Sequence, residues 1–338
     1  MTGSGAQRTT IVDVARAAGV HFSTASKVLR DVPGYRIRPE TRARVREAAE
    51  RLDYRPSAVA RALRSASSGA IGMLVPSLRN PVYAEIARGA FERAWERELV
   101  VVLGEDRDGA DAERAYDRLV QNSRIDGLLV ASAHPGSILP SRVGDAPVPF
   151  VFLNRRQPGA QSVSMREEEA AALAAEHLLA LGHRRLGHVA GPRGIDTAAR
   201  RLAAFRAAVR AGGGTLSVVH ADFDERAGHD ATAELLARRR PPTAIFASNL
   251  NQAIGALAAA RAAGRAVPRE LSLLTYDDDP ICDYLDPPLT AIRMPLHELG
   301  VAAVDALLAR IDDAPADDLV LATPPRLIER RSTAPAAA

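Results

Sequence analysis

With 338 residues, of which 47% are hydrophobic and 25% charged, the chain is long enough for two or three domains with cores of their own. No apolar segment near the N-terminus and no run of 18 apolar residues occurs, so we expect no secretory signal, no membrane partner and a cytoplasmic location. The single cysteine, Cys282, can form neither an intramolecular disulfide nor a thiolate metal cluster.

The charge is distributed unevenly along the chain. Residues 1–66 carry 13 basic and 6 acidic side chains, a net charge of +7, whereas the other 272 residues carry 31 and 35, a net charge of −4. A small basic segment attached to a mildly acidic body favours a polyanion as the partner of that segment. An arginine-rich surface without a function would give the same charges, so the distribution alone leaves both interpretations open.

Three helices are predicted in the basic segment. Thr10 and Asp13 have the spacing of a capping box, so the first helix begins directly after Thr10, and Gly19 permits the sharp turn that ends it. The second helix covers 22–30, and the third covers 39–52 with a proline in its first turn. Two short helices joined by a turn predict a helix-turn-helix, although a helical bundle without a DNA role fits each helix taken alone.

The second predicted helix has one apolar and one polar face. Ala25, Val28 and Leu29 recur at helical spacing and predict the face that is buried. The opposite face exposes one ring, two short hydroxyls and one flexible cation: Phe22, Ser23, Ser26 and Lys27. Lys27 is the only lysine in the chain. Such a face suits the base edges and phosphates of a DNA major groove.

The segments TIVDVARAAGVHFSTASKVL and RPETRARVREAAERLDYRPSAVARALR resemble the DNA-binding head of the lactose-repressor (LacI/GalR) family. The resemblance covers nearly all of residues 9–64, with the spacing intact. It implies DNA contact by ten residues of this chain: Thr10, His21, Phe22, Ser23, Thr24, Ser26, Lys27, Ala60, Leu63 and Arg64.

The resemblance also implies separate roles within the second helix. Phe22 and Ser23 take the positions that contact base edges, and Thr24 and Ser26 take phosphate-contact positions. Lys27 stands where the family usually has arginine or histidine. Because lysine is a mobile point charge and arginine a planar fork, we hypothesise that Lys27 discriminates bases less strictly or mainly contacts phosphate. A neutral exchange of the two residue types remains the alternative.

Residues 57–68 resemble the family's hinge helix and linker. Two hinge helices would meet over the minor groove at the operator centre, where Leu63 would enter the central base step between Ala60 and Arg64. The head departs from the family at His21, where a serine usually caps the second helix. His21 either weakens that cap or contacts DNA itself. This departure affects which operator sequence is expected, whereas the expected fold is unchanged.

From residue 69 onward, short apolar runs alternate with alanine-rich helical patterns. The runs predict strands at 71–75, 99–103, 127–131, 150–153, 186–190, 244–247 and 271–275. Helices are predicted at 83–97, 110–122, 165–181, 197–211, 228–238 and 252–263. This alternation predicts an α/β fold with two lobes, each a doubly wound parallel sheet, and a ligand site in the cleft between them at the carboxyl ends of the strands.

Enzyme motifs are missing from the sequence. It contains no phosphate-binding loop, no G-x-G-x-x-G and no nucleophile elbow, so an enzyme on the same fold is the less favoured interpretation. His183 and His188 have no companions at metal-ligand spacing and are predicted to be surface and packing residues. The run YDDDP could hold a metal in isolation, but a strand-end carboxylate that accepts ligand hydroxyls fits better. We therefore expect neither enzymatic activity nor a cofactor.

The body continues the family resemblance in IGMLVPSLRNPVYAEI, LGHRRLGHVAGP and LSLLTYDD, among other segments. These match the family's effector-binding core, which is similar to periplasmic sugar-binding proteins. The resemblance implies effector contacts by Tyr83, Asn154 and Arg155 from the first lobe and by Arg201, Phe223, Asn249 and Asp277 from the second.

These residue types form a coherent site for a polar solute. Asp277 would accept from paired hydroxyls, Arg201 and Asn249 would donate, and Tyr83 or Phe223 would stack on a ring. The chain departs from the family twice. Asn154 stands where aspartate is frequent, and Leu250 replaces the aspartate of a common Asn-Asp pair. Together they predict a cavity that is less acidic than usual, although Leu250 can instead alter only the packing between the lobes, whereas Asn154 can change which solute fits.

The predicted organisation is a helix-turn-helix head at 1–56, a hinge and linker at 57–68, and an effector-binding and dimerisation core at 69–338. The first lobe comprises about 69–164 and 293–316, and the second about 165–292 and 317–334. The C-terminal tail has no leucine heptads, so a homodimer without a tetramer-forming zipper is expected.

The sequence thus predicts a repressor that binds a pseudo-palindromic operator in double-stranded DNA. A small effector between the lobes would control its DNA affinity, with a sugar as the family's default and a nucleoside or another polar solute still open. The alternative from a different class is a solute-binding protein without a DNA role, for which a basic head in place of a secretion signal is unexpected.

Overall fold

The computed structural model describes residues 9–29, 37–54, 68–106, 120, 125–132, 148–314 and 317–337. The chain divides into two compact units, Met1–Ser68 and Gly69–Ala338. Among the described residues, no helix is both long enough and apolar enough to cross a bilayer.

The first unit contains the three predicted helices, α1 (Ile11–Ala17), α2 (Phe22–Leu29) and α3 (Pro39–Arg51). The capping box ahead of α1 is confirmed, because the Thr10 hydroxyl accepts the Asp13 backbone N–H and the Asp13 carboxylate accepts from the Thr10 backbone. The predicted starts of all three helices agree with the structure.

A left-handed glycine and a small apolar core hold the three helices together. Gly19 follows α1 with φ of 62°, a conformation that glycine adopts without steric cost. Small and branched apolar side chains of all three helices form one cluster: Val14, Ala15, Ala18, Ala25, Val28, Val45, Ala48 and Ala49. This cluster confirms the predicted three-helix bundle.

The second unit contains two six-stranded sheets. The first sheet consists of β1 (Ala70–Val75), β2 (Val100–Glu105), β3 (Gly127–Val130), β4 (Phe150–Leu153), β5 (Ser162–Ser164) and β11 (Leu319–Val320). Its strand order is β11-β5-β4-β3-β1-β2, and all pairs are parallel. The helices α4 (Pro81–Glu96) and α9 (Leu296–Ile311) pack against this sheet and against each other.

The second sheet repeats the same arrangement. It consists of β6 (Arg185–Ala190), β7 (Thr215–His220), β8 (Ala244–Ala247), β9 (Ser272–Tyr276), β10 (Thr290–Arg293) and β12 (Arg326–Ile328). The order is β7-β6-β8-β9-β10-β12, and only β12 runs antiparallel. The helices of this lobe are α5 (Glu167–Ala180), α6 (Asp196–Ala211), α7 (Glu225–Leu236) and α8 (Leu250–Ala262).

All seven predicted strands are present, and the structure adds β5, β7, β10, β11 and β12. Three of these five have only two or three residues, too few to show a pattern, and β7 is an edge strand whose inner positions are half-buried. The helix α9 was also not predicted. The predicted helix at 110–122 lies outside the described residues except for Val120.

The chain crosses between the lobes three times, between β5 and α5, between β10 and α9, and between β11 and β12. The third crossing corrects the predicted start of the last second-lobe segment at 317. Leu319 pairs with Val163 in the first sheet, and the Asp318 carboxylate accepts hydrogen bonds from the backbone and hydroxyl of Ser162, both at 2.8 Å. These bonds hold β11 in the first lobe. The Leu321 backbone N–H also donates to the Ser164 carbonyl at 2.9 Å, so the boundary falls after Leu321.

Candidate functional site

The α2 helix carries the candidate DNA-contacting face of the first unit. Phe22 is 48% exposed, and Ser23, Thr24 and Lys27 are half-buried. The predicted exposure of Ser26 is wrong, because this side chain is only 8% exposed. Ser26 lies next to buried Ala25 and three residues before Leu29, at the edge of the face that packs into the bundle.

His21 takes over the capping function that serine usually supplies. Its carbonyl accepts from the backbone N–H groups of Thr24 at 2.9 Å and Ala25 at 3.1 Å. Its Nδ1 atom accepts the Ser23 backbone N–H at 3.4 Å and lies 2.8 Å from the Ser23 hydroxyl. The imidazole also packs against Phe22, with 4.4 Å between ring centroids. The cap of α2 is therefore present, with histidine in place of serine.

The other predicted DNA contacts divide into two groups. The Thr10 hydroxyl lies at the N-terminus of α1, where it donates to Asp13 Oδ2 at 2.6 Å. Ala60, Leu63 and Arg64 lie outside the described residues.

In the second unit, all seven predicted effector residues line one narrow cavity of about 30 Å³ between the lobes. They are Tyr83, Asn154, Arg155, Arg201, Phe223, Asn249 and Asp277. Four polar residues that the sequence did not single out also line it: Asn80, Glu167, Thr197 and Tyr276. Candidate residues far apart in sequence thus meet at the carboxyl ends of the strands, where this fold class places its ligands.

Two of the lining residues occupy equivalent places in the two lobes. Asn154 follows β4 and Asp277 follows β9, and each of these strands is fourth in its sheet when counted from the edge at β2 or β7. Asn154 has φ of 62° and Asp277 φ of 68°, a left-handed region in which asparagine and aspartate are the most frequent residues after glycine. The Asn154 Oδ1 atom is buried and has no hydrogen-bond partner among the described residues.

The three consecutive aspartates after β9 have three different environments. Burial raises the pKa of Asp277 to about 7, against the opposing effect of Arg201. Asp278 forms ion pairs with Arg330 at 2.7 Å and Arg293 at 2.6 Å, and Asp279 caps the 3-10 helix that follows. In the described part of the chain, no group of three or more histidine, cysteine or acidic side chains could hold a metal ion. Only Asp277 of the three lines the cavity between the lobes.

Arg201 is held on several sides by the protein. Its Nε and Nη2 atoms donate to Glu167 Oε2 at 3.1 and 2.8 Å, and its Nη1 atom donates to the Ser248 carbonyl. Its guanidinium carbon lies 3.4 Å from the centroid of the Tyr276 ring, and the Tyr276 hydroxyl donates to Glu167 Oε2 at 2.7 Å. Part of the donor capacity predicted for an effector is therefore used within the protein.

Asn249 is likewise engaged. Its Oδ1 atom caps α8 by accepting the Gln252 backbone N–H at 2.9 Å, and its Nδ2 atom donates to the Phe223 carbonyl at 3.1 Å. Asn249 thereby fixes the loop that carries the Phe223 ring. On the first-lobe side, Arg155 Nη2 donates to the Tyr83 hydroxyl at 3.4 Å.

The two histidines considered at the sequence level are both buried, which corrects the predicted surface position. His188 packs against both Phe205 and Phe246, with ring centroids 5.1 and 5.0 Å away, and its Nε2 atom lies 2.8 Å from the Ser248 hydroxyl. Burial lowers the pKa of His188 to about 3. His183 is 3% exposed and hydrogen-bonded at both ring nitrogens. Both residues support the core of the second lobe.

Comparison with known proteins agrees with this arrangement. The family of bacterial regulatory proteins, lacI family, matches residues 10–57, and the periplasmic binding protein-like domain matches residues 175–333. The HTH-type transcriptional repressor PurR of Edwardsiella ictaluri is 33% identical over 332 residues, covering 96% of this chain and 97% of that protein. The ribose operon repressor of Halalkalibacterium halodurans is 32% identical over 327 residues, with the same coverage of both chains.

A solved structure of the Lac repressor dimer, bound to operator and the anti-inducer ONPF, is similar with a TM-score of 0.85 and 28% identity. The similarity covers 97% of this chain and 100% of that one. The predicted fold class, a helix-turn-helix head followed by a two-lobed parallel-sheet core, is confirmed. The relatives are transcriptional repressors, which excludes the interpretation as an enzyme. The chain belongs to the LacI family of DNA-binding transcriptional repressors.

Proposed function

We propose that this repressor binds a pseudo-palindromic operator as a homodimer and that a small polar effector between its lobes controls the affinity for DNA. The observation that carries the proposal is the convergence of seven candidate residues, from both lobes, on one cavity at the strand ends. The Lac repressor structure, a dimer bound to operator and a small molecule, supports the same combination of partners.

In this proposal the exposed side of α2 enters the major groove. Phe22 and Ser23 contact base edges, and Thr10 and Thr24 contact phosphates near the helix N-termini. Lys27 contacts a base or a phosphate beside them. The hydrogen bonds of His21 to Ser23 support a helix N-terminus that is ordered before DNA arrives, which lowers the entropic cost of binding. Buried Ser26 is left out of this set.

The hinge and linker at 57–68 connect the two functions. Two copies of this segment would pair over the minor groove, with Leu63 wedged into the central step and Ala60 and Arg64 beside it. The domain boundaries proposed from the sequence, a head at 1–56 and a core from 69, belong to the same proposal.

We assign a sugar or a related polyhydroxy solute to the cavity. Asp277 and Asn154 supply acceptors for hydroxyl groups, Arg155 and Arg201 supply N–H donors, and an aromatic side chain stacks on the ring. The name of the ribose operon repressor supports this class of effector. Effector binding would change the angle between the lobes about the three crossings, so DNA affinity and effector affinity would be coupled reciprocally.

The test is selection of binders from a randomised duplex DNA pool, followed by a titration of the selected site with sugars. We expect a palindrome with a flexible central step, and a change in operator affinity with at least one sugar. Phe22→Ala should abolish enrichment, whereas Ala43→Ser, an exposed exchange on α3, should leave it intact. Lys27→Arg should sharpen the preference at one base position. Failure to enrich any motif at low or physiological salt would contradict the proposal.

A further inference from the structure

One carboxylate in the cavity was not singled out by its sequence pattern. Glu167, the first residue of α5, is only 1% exposed and lines the cavity together with Arg201 and Tyr276. Its Oε2 atom accepts three hydrogen bonds, two from Arg201 and one from the Tyr276 hydroxyl. Its Oε1 atom is buried and accepts none from any described residue.

A buried carboxylate oxygen without a donor has lost its hydration and received nothing in exchange. A ligand that brings an O–H or N–H group to this atom removes that cost, so the unsatisfied Oε1 atom contributes to affinity for donor-bearing molecules. Two more acceptors line the same cavity, the Asn154 Oδ1 atom, which also has no partner among the described residues, and the buried Asp277 carboxyl group. These oxygen atoms of the cavity therefore require donors from a ligand.

Arg201, one of the two arginines of the cavity, does not create an anion site. Arg201 is paired with Glu167, bonded to the Ser248 carbonyl and covered on one face by Tyr276. The charge of Arg201 is therefore compensated by Glu167 within the protein. A phosphate or carboxylate placed beside the open oxygen of Glu167 would be repelled by it and would supply no proton to it.

We infer that Glu167 determines effector specificity: its Oε1 atom accepts a hydrogen bond from an uncharged, donor-rich effector, and its charge excludes phosphorylated and carboxylated solutes. The inference rests on the proposed function, because it concerns the same cavity. It adds that the cavity discriminates uncharged solutes from phosphorylated and carboxylated ones, which the fold alone does not determine.

A purely structural role for Glu167 would be to hold Arg201 and Tyr276, and the variant Glu167→Gln separates the two possibilities. Glutamine can keep its amide oxygen toward Arg201 and Tyr276 and turn its NH₂ group toward the place of Oε1. The cavity would then present a donor where it presented a charged acceptor. Specificity should reverse between the two ligand classes, whereas the loss of a mere support would weaken both classes together.

The experiment is calorimetric titration of the full-length protein with matched pairs of probes. The pairs are D-ribose with ribose 5-phosphate, D-glucose with glucose 6-phosphate, and adenosine with adenosine monophosphate. We expect wild-type protein to bind an uncharged member and to reject its phosphorylated counterpart. Glu167→Gln should lose about tenfold in affinity for that uncharged probe, as expected for one charge-assisted hydrogen bond. The same variant should bind the phosphorylated probe better than wild type does.

The matched control is Glu176→Gln, on the exposed side of the same helix, which should leave both affinities unchanged. Equal affinity of wild type and Glu167→Gln for the uncharged probe overturns the inference, as does a wild-type preference for the phosphorylated member of any pair. Operator binding, measured in parallel, separates the two proposals. A response to phosphorylated probes alone overturns this inference and keeps effector control, whereas operator binding without a response to any probe overturns both. Loss of operator binding itself overturns the proposed function.

Discussion

The two lobes of the core have the same strand order but different chemistry at equivalent places. After the fourth strand, the first lobe has Asn154 and the second has Asp277, both in the left-handed conformation and both lining the cavity. The second strand from the same edge is β1 (AIGMLV) in the first lobe and β6 (RLGHVA) in the second. Met73 and His188 occupy the fourth position of these strands, and both are buried. At both places the first lobe has a side chain that does not titrate, and the second has one that does.

The comparison separates what the fold imposes from what the residue type adds. The strand order and the left-handed turn fix where a side chain lies, and the same backbone accepts an amide or a carboxyl group there. Burial then acts only on the ionisable member, raising the pKa of Asp277 to about 7 and lowering that of His188 to about 3. The pH dependence of stability should therefore be concentrated in the second lobe.

The largest expected effect comes from Asp277→Asn, which gives the second lobe the first lobe's amide. The pKa of Asp277 is raised in the folded protein, so between about pH 4 and pH 7 only the unfolded chain loses this proton. The free energy of unfolding of the wild type should fall as the pH rises through that window, by about 1 kcal/mol per unit, and level off above it. Urea unfolding at several pH values measures this slope, which the variant should lack.

The control for that measurement is Asp222→Asn, an exposed aspartate in the same lobe, which should leave the slope unchanged. An Asp277→Asn variant that retains the wild-type decline would show that this carboxyl group stays ionised in the fold. The lobes would then be alike at this position, contrary to the comparison.

His188→Met, which gives the second lobe the residue type of Met73 in the first lobe, should remove a pH dependence of stability of comparable size and opposite direction. The pKa of His188 is lowered in the folded protein, so below about pH 6.5 the unfolded chain binds a proton that the folded one refuses. Wild-type stability should fall as the pH drops from 6.5 toward 3, and the variant should lose part of that fall. The Ser248 hydroxyl loses a partner in this variant, which should cost about 1 kcal/mol at neutral pH.

Acid titrations followed by circular dichroism give the measurement, with His229→Gln, a partly exposed histidine, as the matched control. Equal acid midpoints for the wild type and His188→Met would contradict the prediction and assign the acid sensitivity to other groups.

The sequence predicted most where the signals are local. The Thr10–Asp13 capping box and Gly19 determine α1 and the turn after it within ten residues, and the structure agrees. Ser26 was placed on the wrong side because it lies at the margin between the two faces of a short helix, where periodicity decides least. The strand β11 has two residues and exists because Asp318 bonds to a strand more than 150 residues away.

The candidate site shows the same limit. The seven residues implied by the family resemblance do meet in one cavity, whereas Glu167 was missed as one of three consecutive glutamates. Glu168 and Glu169 form exposed ion pairs, and nothing in the run itself shows that its first member is buried. The pairing with Arg201 spans 34 positions, and the one with Tyr276 spans 109. All three residues belong to the second lobe, so these partners become visible only when that lobe is folded.

The smallest expected effect tests the backbone that the two lobes share. At Asn154, φ of 62° is costly for a residue whose side chain offers no local hydrogen bond, so Asn154→Ala should destabilise the core by about 1 kcal/mol. Asn154→Gly should stay within about 0.5 kcal/mol of the wild type, because glycine adopts this conformation freely but gains more entropy in the unfolded chain. Both variants remove the same amide, so the difference between them isolates the backbone conformation. Urea unfolding at pH 8 gives both values. If Asp277→Ala is likewise less stable than Asp277→Gly, the backbone conformation has the same energetic cost in both lobes. An alanine variant as stable as the glycine variant at either position would contradict this equivalence.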